Sequence, residues 1–145
     1  CNAGFMYDAE RILATMEYLW KKEGDESLRP SLRTYQLLIE GWMKSTADDG
    51  TEKAEIIFEN VKTDFAEDDS ELLPDVYRTL LLGYAKKSNP DAALNMLKEM
   101  IRKGYAIDSF SFEKIIDSYA SSGEFKKINA VVDLMEKCQQ RMRRQ

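Results

Sequence analysis

The chain has no histidine among its 145 residues, so it lacks the side chain that most often acts as a general acid or base near neutral pH. The same absence removes Ser-His and Cys-His nucleophile pairs and all histidine metal ligands. The two cysteines, Cys1 and Cys138, stand near opposite ends of the chain, which argues against a disulfide, and two thiols alone make a poor zinc site. We therefore expect a non-enzymatic protein from a reducing compartment, with no metal and no cofactor.

No apolar run is long enough to cross a membrane, so we expect no membrane insertion. Asp and Glu number 26 against 21 Lys and Arg, and the net charge of −5 has the sign opposite to that of a typical nucleic-acid binder. Acidic residues are concentrated in residues 64–73, which we interpret as a solvated loop; the alternative is an acidic arm for a basic partner. Asp68 and Asp69 are interpreted as solvating groups rather than as an acid/base pair.

The chain does contain a repeated apolar pattern with the spacing i, i+3, i+4, i+7, which is one face of an α-helix. Three copies begin with an aromatic residue: Tyr35, Leu38, Ile39 and Trp42; Tyr77, Leu80, Leu81 and Tyr84; Phe112, Ile115, Ile116 and Tyr119. Each is followed by a second copy: Ala54, Ile57, Phe58 and Val61; Ala93, Met96, Leu97 and Met100; Ile128, Val131, Val132 and Met135. A further copy, Ala9, Ile12, Leu13 and Met16, comes first and has no aromatic partner. The pattern predicts an array of helical hairpins.

The spacing between copies gives the repeat length. Tyr77 and Phe112 are 35 residues apart, whereas Tyr35 and Tyr77 are 42 apart, so the first full repeat carries insertions. Helices are predicted over residues 8–22, 32–45, 51–65, 75–87, 90–103, 109–121 and 124–142. Capping residues fit these helices: Ser31 and Asp75 as N-caps, Pro90 at a first helical position, and Gly104 and Gly123 after helix ends.

These segments resemble the pentatricopeptide repeat, a 35-residue unit of two antiparallel helices. In the first helices, an aromatic residue and two aliphatic residues are followed by glycine and a second aromatic, as in Gly41-Trp42 and Gly83-Tyr84. Glycine directly before the aromatic favours this family over the tetratricopeptide repeat, whose period is about 34. The resemblance implies an all-α fold, an α-solenoid of stacked antiparallel helical hairpins with about three full repeats. The predicted divisions of this single array, 1–145, are a partial repeat at 1–30 and repeats at 31–74, 75–108 and 109–143.

The register also predicts that the chain is a segment of a longer array. Cys1 to Gly4 fall where the family has the turn between its two helices, and the last repeat closes near Arg143. Such a segment leaves apolar faces uncovered at both ends, so we expect it to continue into more repeats or to have those ends covered by other protein subunits.

In pentatricopeptide proteins, the surface formed by the first helices binds single-stranded RNA, with about one base per repeat. The resemblance implies reading residues at Gln36, Arg78 and Glu113, closing residues at Asp75, Asp108 and Arg143, and base-sandwiching residues at Arg33 and Phe110. Asp75 occupies the place of both the closing residue of one repeat and the sandwiching residue of the next. The reading positions depart from the small polar side chains that the family favours, so we expect no usable base code.

Two functions stay open at this point. The first is an RNA-binding module of an organellar protein that acts in RNA processing, stability or translation. The second is a protein–protein scaffold or accessory subunit of a large organellar complex, in which this segment does not read RNA. The acidic charge and the missing base code favour the second function, and the family resemblance favours the first. The resemblance also implies a mitochondrial or plastid location, with no small-molecule substrate.

Overall fold

The computed structural model describes residues 3–144, and most of its helices begin and end close to the predicted positions. Within that range it contains seven α-helices, one short 3-10 helix at Glu26–Leu28 and no strand. The α-helices are α1 Ala3–Glu23, α2 Leu32–Lys44, α3 Gly50–Asp64, α4 Leu72–Lys86, α5 Pro90–Arg102, α6 Ser109–Ser121 and α7 Phe125–Arg144. Neighbouring helices pack together, which confirms the predicted all-α helical-repeat fold of the solenoid class.

The chain divides into two compact units between Val76 and Tyr77. In the N-terminal unit, which runs up to Val76, α2 packs against α3 and α1 packs against α2. In the C-terminal unit, which starts at Tyr77, α6 packs against both α5 and α7. The predicted repeat divisions at 31–74, 75–108 and 109–143 stay predictions.

The repeated apolar pattern forms the core of each unit. The buried residues that come from the aromatic copies are Tyr35, Ile39, Trp42, Tyr77, Leu80, Leu81, Tyr84, Phe112, Ile115 and Tyr119. Those from the copies in α3 and α5 are Ala54, Phe58, Val61, Ala93, Met96, Leu97 and Met100. Fully burying a large apolar side chain contributes roughly 1.5–3 kcal/mol, so this pattern supplies much of the driving force for folding.

The same pattern is less well covered in α1 and α7. Ile12 of α1 is 63% exposed, although it was predicted to lie on the buried face, whereas Leu13 and the unpredicted Met6 are buried. In α7, Val131 is buried and the other three members of its copy are partly exposed. The expected uncovered apolar surface is therefore present on both of these helices.

Three predicted helix starts have the expected capping geometry. The Ser31 side chain accepts a hydrogen bond from the backbone N–H of Thr34 at 3.2 Å and caps α2. Asn89 caps α5 in the same way, with Pro90 at the first helical position, where its missing N–H costs no hydrogen bond. Asp108 caps α6 through the N–H of Ser111. The positions at which these three helices begin are therefore set by the local sequence.

The start of α4 was predicted wrongly. Asp75 is not an N-cap, because α4 begins at Leu72 and the Asp75 N–H donates to the carbonyl oxygen of Glu71 at 3.3 Å. Pro74 is tolerated in this first turn because the first N–H groups of a helix have no intrahelical acceptor. Leu73 and Val76 are both buried, and their spacing of three residues gives the added turn an apolar face.

The acidic segment 64–73 is only partly a solvated loop. Its two ends are structured, since Asp64 closes α3 and α4 starts at Leu72. Leu73 is buried, and the Phe65 ring packs edge-on against Tyr35 with the ring centroids 5.9 Å apart. The prediction missed these contacts because it weighed the charge of the segment more heavily than its few apolar residues. Glu67 and Asp69, near its middle, are exposed as predicted.

The first helix also starts earlier than predicted. Cys1 and Asn2 lie outside the described residues, but Gly4, which was expected in a turn, lies within α1. Met6 in the first turn is buried against Gly41 of α2, where an added Cβ would come within 2.7 Å of the Met6 sulfur. The contact between Met6 and Gly41 gives the additional N-terminal turn of α1 a buried position.

Candidate nucleic-acid interface

The eight predicted base-facing residues are distributed along four helices and one cap. Arg33 and Gln36 lie on α2, Asp75 and Arg78 on α4, Asp108 at the N-cap of α6, Phe110 and Glu113 on α6, and Arg143 in the last turn of α7. Of these, Arg78, Asp108 and Phe110 form a cluster in the C-terminal unit, and Arg33 and Gln36 form a smaller contact in the N-terminal unit.

Arg78 is the centre of the C-terminal cluster. Its Nε and Nη2 atoms both donate to Asp108 Oδ2, at 3.1 and 2.8 Å. The guanidinium carbon also lies 5.5 Å from the centroid of the Phe110 ring, within the range of a cation–π contact. Arg78 and Asp108, the predicted reading and closing residues of one repeat, are therefore hydrogen-bonded to each other. Arg78 also contacts Phe110, the predicted base-sandwiching residue of the next repeat.

Asp108 is held in place from two sides. Its Oδ1 accepts the backbone N–H of Ser111 at 3.3 Å, which caps α6, and its Oδ2 accepts both bonds from Arg78. Partial burial alone would raise the pKa of Asp108, but the hydrogen bonds from Arg78 and Ser111 outweigh it and lower the pKa below its usual range. The carboxylate is therefore ionised at neutral pH, and its direction is set by the helix cap.

The strength of this ion pair is modest. The Arg78 and Asp108 side chains remain 38% and 45% exposed, so water screens their attraction. Exposed ion pairs contribute roughly 0.2–1 kcal/mol, and an exposed cation–π contact adds about 0.5–1 kcal/mol. These contacts orient Arg78 more than they stabilise the fold.

A second cation lies beside the same aromatic ring. Lys114 Nζ is 5.1 Å from the Phe110 centroid, one helical turn after Phe110 on α6. Both side chains line an open cleft of about 450 Å³ between α4 and α6. Lys86 and Asp117 also line it, so the cleft has charges of both signs.

The cleft contains one buried polar atom with an unused hydrogen-bonding capacity. Ser118 lines the cleft, and its Oγ is buried without a hydrogen-bond partner among residues 3–144. A buried hydroxyl without a partner costs free energy that a bound polar group or a water would recover. The sequence pattern did not identify Lys114 or Ser118 as site residues: Lys114 has no assigned role in the pattern, and Ser118 stands in the place of the glycine before the second aromatic residue.

The other predicted residues lie at separate positions on the helices. Arg33 Nη1 donates to Gln36 Oε1 at 3.2 Å, so the two face each other along α2. Asp75, Glu113 and Arg143 lie on exposed helix surface. Arg143 lies in the last turn of α7.

The two units carry opposite charge. Residues 1–76 contain 8 Lys and Arg against 18 Asp and Glu, a net charge of −10. Residues 77–145 contain 13 against 8, a net charge of +5, and the two values add up to the −5 of the whole chain. The C-terminal unit is therefore basic although the whole chain has a negative net charge, and this unit contains the Arg78 cluster. A count by halves reveals the asymmetry from sequence alone.

Residues 3–144 contain no group of three or more Asp, Glu, Cys or His side chains that could hold a metal ion. None of the helices in this range combines the length and apolar character of a membrane span.

The comparisons with known proteins agree with the fold. A model of the pentatricopeptide repeat family, described as "PPR repeat", matches residues 75–105, which lie within the predicted repeat 75–108. Over 138 residues, 93% of its length, the chain is 29% identical to the large ribosomal subunit protein mL102 (rPPR5) of Arabidopsis thaliana. Over 41 residues, 28% of its length, it is 42% identical to a pentatricopeptide repeat-containing protein of the same plant.

These matches identify an all-α helical-repeat protein. Residues 75–105 match the pentatricopeptide repeat model, and the resemblance predicted from the sequence is confirmed. The chain spans 17% of the length of the ribosomal relative and 7% of the length of the second relative. The comparisons indicate no catalytic family.

Proposed function

We propose that this chain is an RNA-binding module of an organellar pentatricopeptide protein that works in translation, as a constituent of a large ribonucleoprotein assembly. The observation that carries the proposal is the Arg78–Asp108–Phe110 cluster on a unit with a net charge of +5. The ribosomal relative supports the kind of assembly, since ribosomal proteins work beside RNA. In this proposal the module binds and positions RNA and catalyses no reaction.

The chemistry of the C-terminal unit suits single-stranded RNA. Phosphate contacts with Lys and Arg supply most of the affinity for nucleic acid, and the excess of basic residues lies in this unit. An exposed aromatic ring is a platform for an unstacked base, and the Phe110 side chain is 44% exposed. The cleft beside it is bordered by Lys86 and Lys114.

Base stacking contributes about 1–3 kcal/mol per base. One aromatic platform and a few phosphate contacts therefore predict weak binding that depends strongly on salt. High affinity would need contacts from other parts of a longer protein.

The second candidate function is a protein–protein scaffold within the same kind of assembly. It is favoured by the N-terminal unit, whose net charge of −10 would repel RNA. Apolar side chains on α1, Phe5 and Ile12, are 67% and 63% exposed, as expected for a surface that another protein covers. The observations that favour the two candidates lie on different units, the C-terminal unit for RNA and the N-terminal unit for a protein partner.

A mitochondrial or plastid location completes the proposal. It is supported by the family resemblance, since pentatricopeptide proteins are mostly organellar, and by the similarity to a ribosomal pentatricopeptide protein. Imaging of the full-length protein fused to a fluorescent protein would test it. A signal confined to the cytosol or nucleus would contradict this part of the proposal.

Fluorescence anisotropy tests RNA binding directly. A labelled random pool of short single-stranded RNA would be titrated with the chain at low and at physiological salt. We expect binding at low salt that weakens steeply as salt rises. Lys114→Glu should weaken it several-fold, whereas Lys98→Glu, the same charge change on the exposed surface of α5, should have a smaller effect. No binding at low salt, or equal losses in the two variants, would contradict the proposal.

A further inference from the structure

We propose that Arg78 fills the place of a base in its own repeat, so that this repeat contacts RNA without selecting which base it holds. The inference rests on the proposed function and makes it more specific. It follows from three contacts: two hydrogen bonds from Arg78 to Asp108, one cation–π contact from Arg78 to Phe110, and a second cation, Lys114, over the same ring.

An RNA base needs two things from such a position. It needs an aromatic face on which to stack, and it needs hydrogen-bonding groups directed at its edge. Phe110 is the aromatic candidate and Asp108 is the hydrogen-bonding candidate. The guanidinium of Arg78 already lies within cation–π range of the first and bonds the second, so it occupies the groups that a base would use.

Asp108 has little capacity left for a base edge. One of its oxygens accepts the N–H and the hydroxyl of Ser111, and the other accepts both bonds from Arg78. An ionised carboxylate only accepts hydrogen bonds, so a freed Asp108 would favour bases with N–H donors on their edges. As long as Arg78 is bonded to Asp108, the carboxylate does not select bases with N–H donors.

Arg78 itself is also partly neutralised. Its charge is balanced by Asp108, so it attracts a phosphate less than an unpaired arginine would. RNA held by this unit would then contact lysines and arginines around the cluster, and the base beside Phe110 would not be recognised. Such binding suits a constituent that holds RNA in place.

Two single substitutions and their combination test the pairing through RNA affinity. The probes are labelled 12-mers of polyadenylate, polycytidylate and polyuridylate at low salt. Asp108→Asn keeps a capping side chain on α6 but releases Arg78, so affinity for all three RNAs should rise at least threefold. Asp117→Asn, which removes the same charge at the cleft, is the matched control and should do less. In the Arg78→Ala background, Asp108→Asn should have no larger effect than Asp117→Asn.

Arg78→Ala separates base exclusion from phosphate binding. We expect the ratio between the tightest and weakest of the three RNAs to widen at least threefold, because the part of the Phe110 ring that Arg78 contacts and the Asp108 carboxylate become accessible. The mean affinity should fall no more than in Arg102→Ala, which removes an exposed arginine from the end of α5. A larger uniform loss with an unchanged ratio would show that Arg78 is a phosphate contact and would overturn the inference.

A measurement that does not depend on RNA affinity keeps the two proposals distinguishable. In a Phe110→Trp variant, free adenosine should quench the added tryptophan fluorescence weakly, after subtraction of the parent signal. Adding Arg78→Ala should increase the quenching constant at least threefold. Equal quenching with and without Arg78 would overturn the inference. If no variant binds RNA but the quenching responds as expected, the proposed function fails and the exclusion of a base by Arg78 stands.

Discussion

Leu81→Ala should destabilise the protein by roughly 2–5 kcal/mol. Leu81 is fully buried in α4, at a position predicted to lie on the buried face of its helix. The substitution removes three carbon atoms from water-free surroundings, and about 0.8 kcal/mol for each gives a transfer term of about 2.4 kcal/mol. The remainder depends on how far neighbouring side chains move into the space that is left.

Leu82→Ala is the matched control, because it removes the same atoms from the neighbouring residue. Leu82 is only partly buried and lines the open cleft, so its loss leaves no closed cavity and should cost about 1 kcal/mol or less. Urea unfolding followed by circular dichroism at 222 nm measures both. With a slope of about 2 kcal/mol per molar urea, the Leu81→Ala midpoint should fall by roughly 1–2.5 M.

Tryptophan fluorescence adds information about one unit, since Trp20 and Trp42 both belong to the N-terminal unit. A circular dichroism transition that shifts without the fluorescence transition would show that the units unfold separately. If Leu81→Ala costs less than about 1 kcal/mol, or no more than Leu82→Ala, the assigned helical register of α4 is wrong.

Two further substitutions test local contacts. Tyr119→Phe removes the hydrogen bond that the tyrosine donates to Asp91 at 2.8 Å and should cost about 1 kcal/mol in urea unfolding at pH 7. Burial and Asp91 raise the pKa of Tyr119 to about 12, so the wild-type free energy of unfolding should fall between pH 10 and 12. The difference in unfolding free energy between wild type and Tyr119→Phe should disappear over the same range. A difference that stays constant with pH would contradict this. Gly50→Ala should lower the melting temperature and cost roughly 1–3 kcal/mol, although alanine favours helices, because its Cβ would lie 2.5 Å from the Trp42 carbonyl oxygen. An unchanged melting temperature would show that the turn between α2 and α3 can adjust.

The sequence was sufficient to predict the helices because their spacing and caps are local properties. The positions around Tyr35, Tyr77 and Phe112 follow helical periodicity, and Ser31 and Asn89 cap as their residue types predict. A distant contact accompanies the failure at the start of α1, where Met6 packs against Gly41 of α2.

The candidate site was predictable only in part. The family resemblance placed Arg78, Asp108 and Phe110 at base-facing positions, but it did not predict that Arg78 would bond an aspartate 30 residues further along the chain. That contact depends on how α4 lies beside the start of α6. Ser118 could not be recognised for a similar reason, since a serine in a helix is usually solvated or bonds to its own backbone.

The central claim, that the C-terminal unit contacts single-stranded RNA, is tested most directly by photo-crosslinking. RNA that contains 4-thiouridine would be irradiated with the chain at low salt, and the crosslinked peptides would be identified by mass spectrometry. We predict crosslinks within residues 77–144, with peptides that contain Phe110 or Lys114 among them. Crosslinks confined to residues before Tyr77, or none at a concentration that saturates binding, would contradict it.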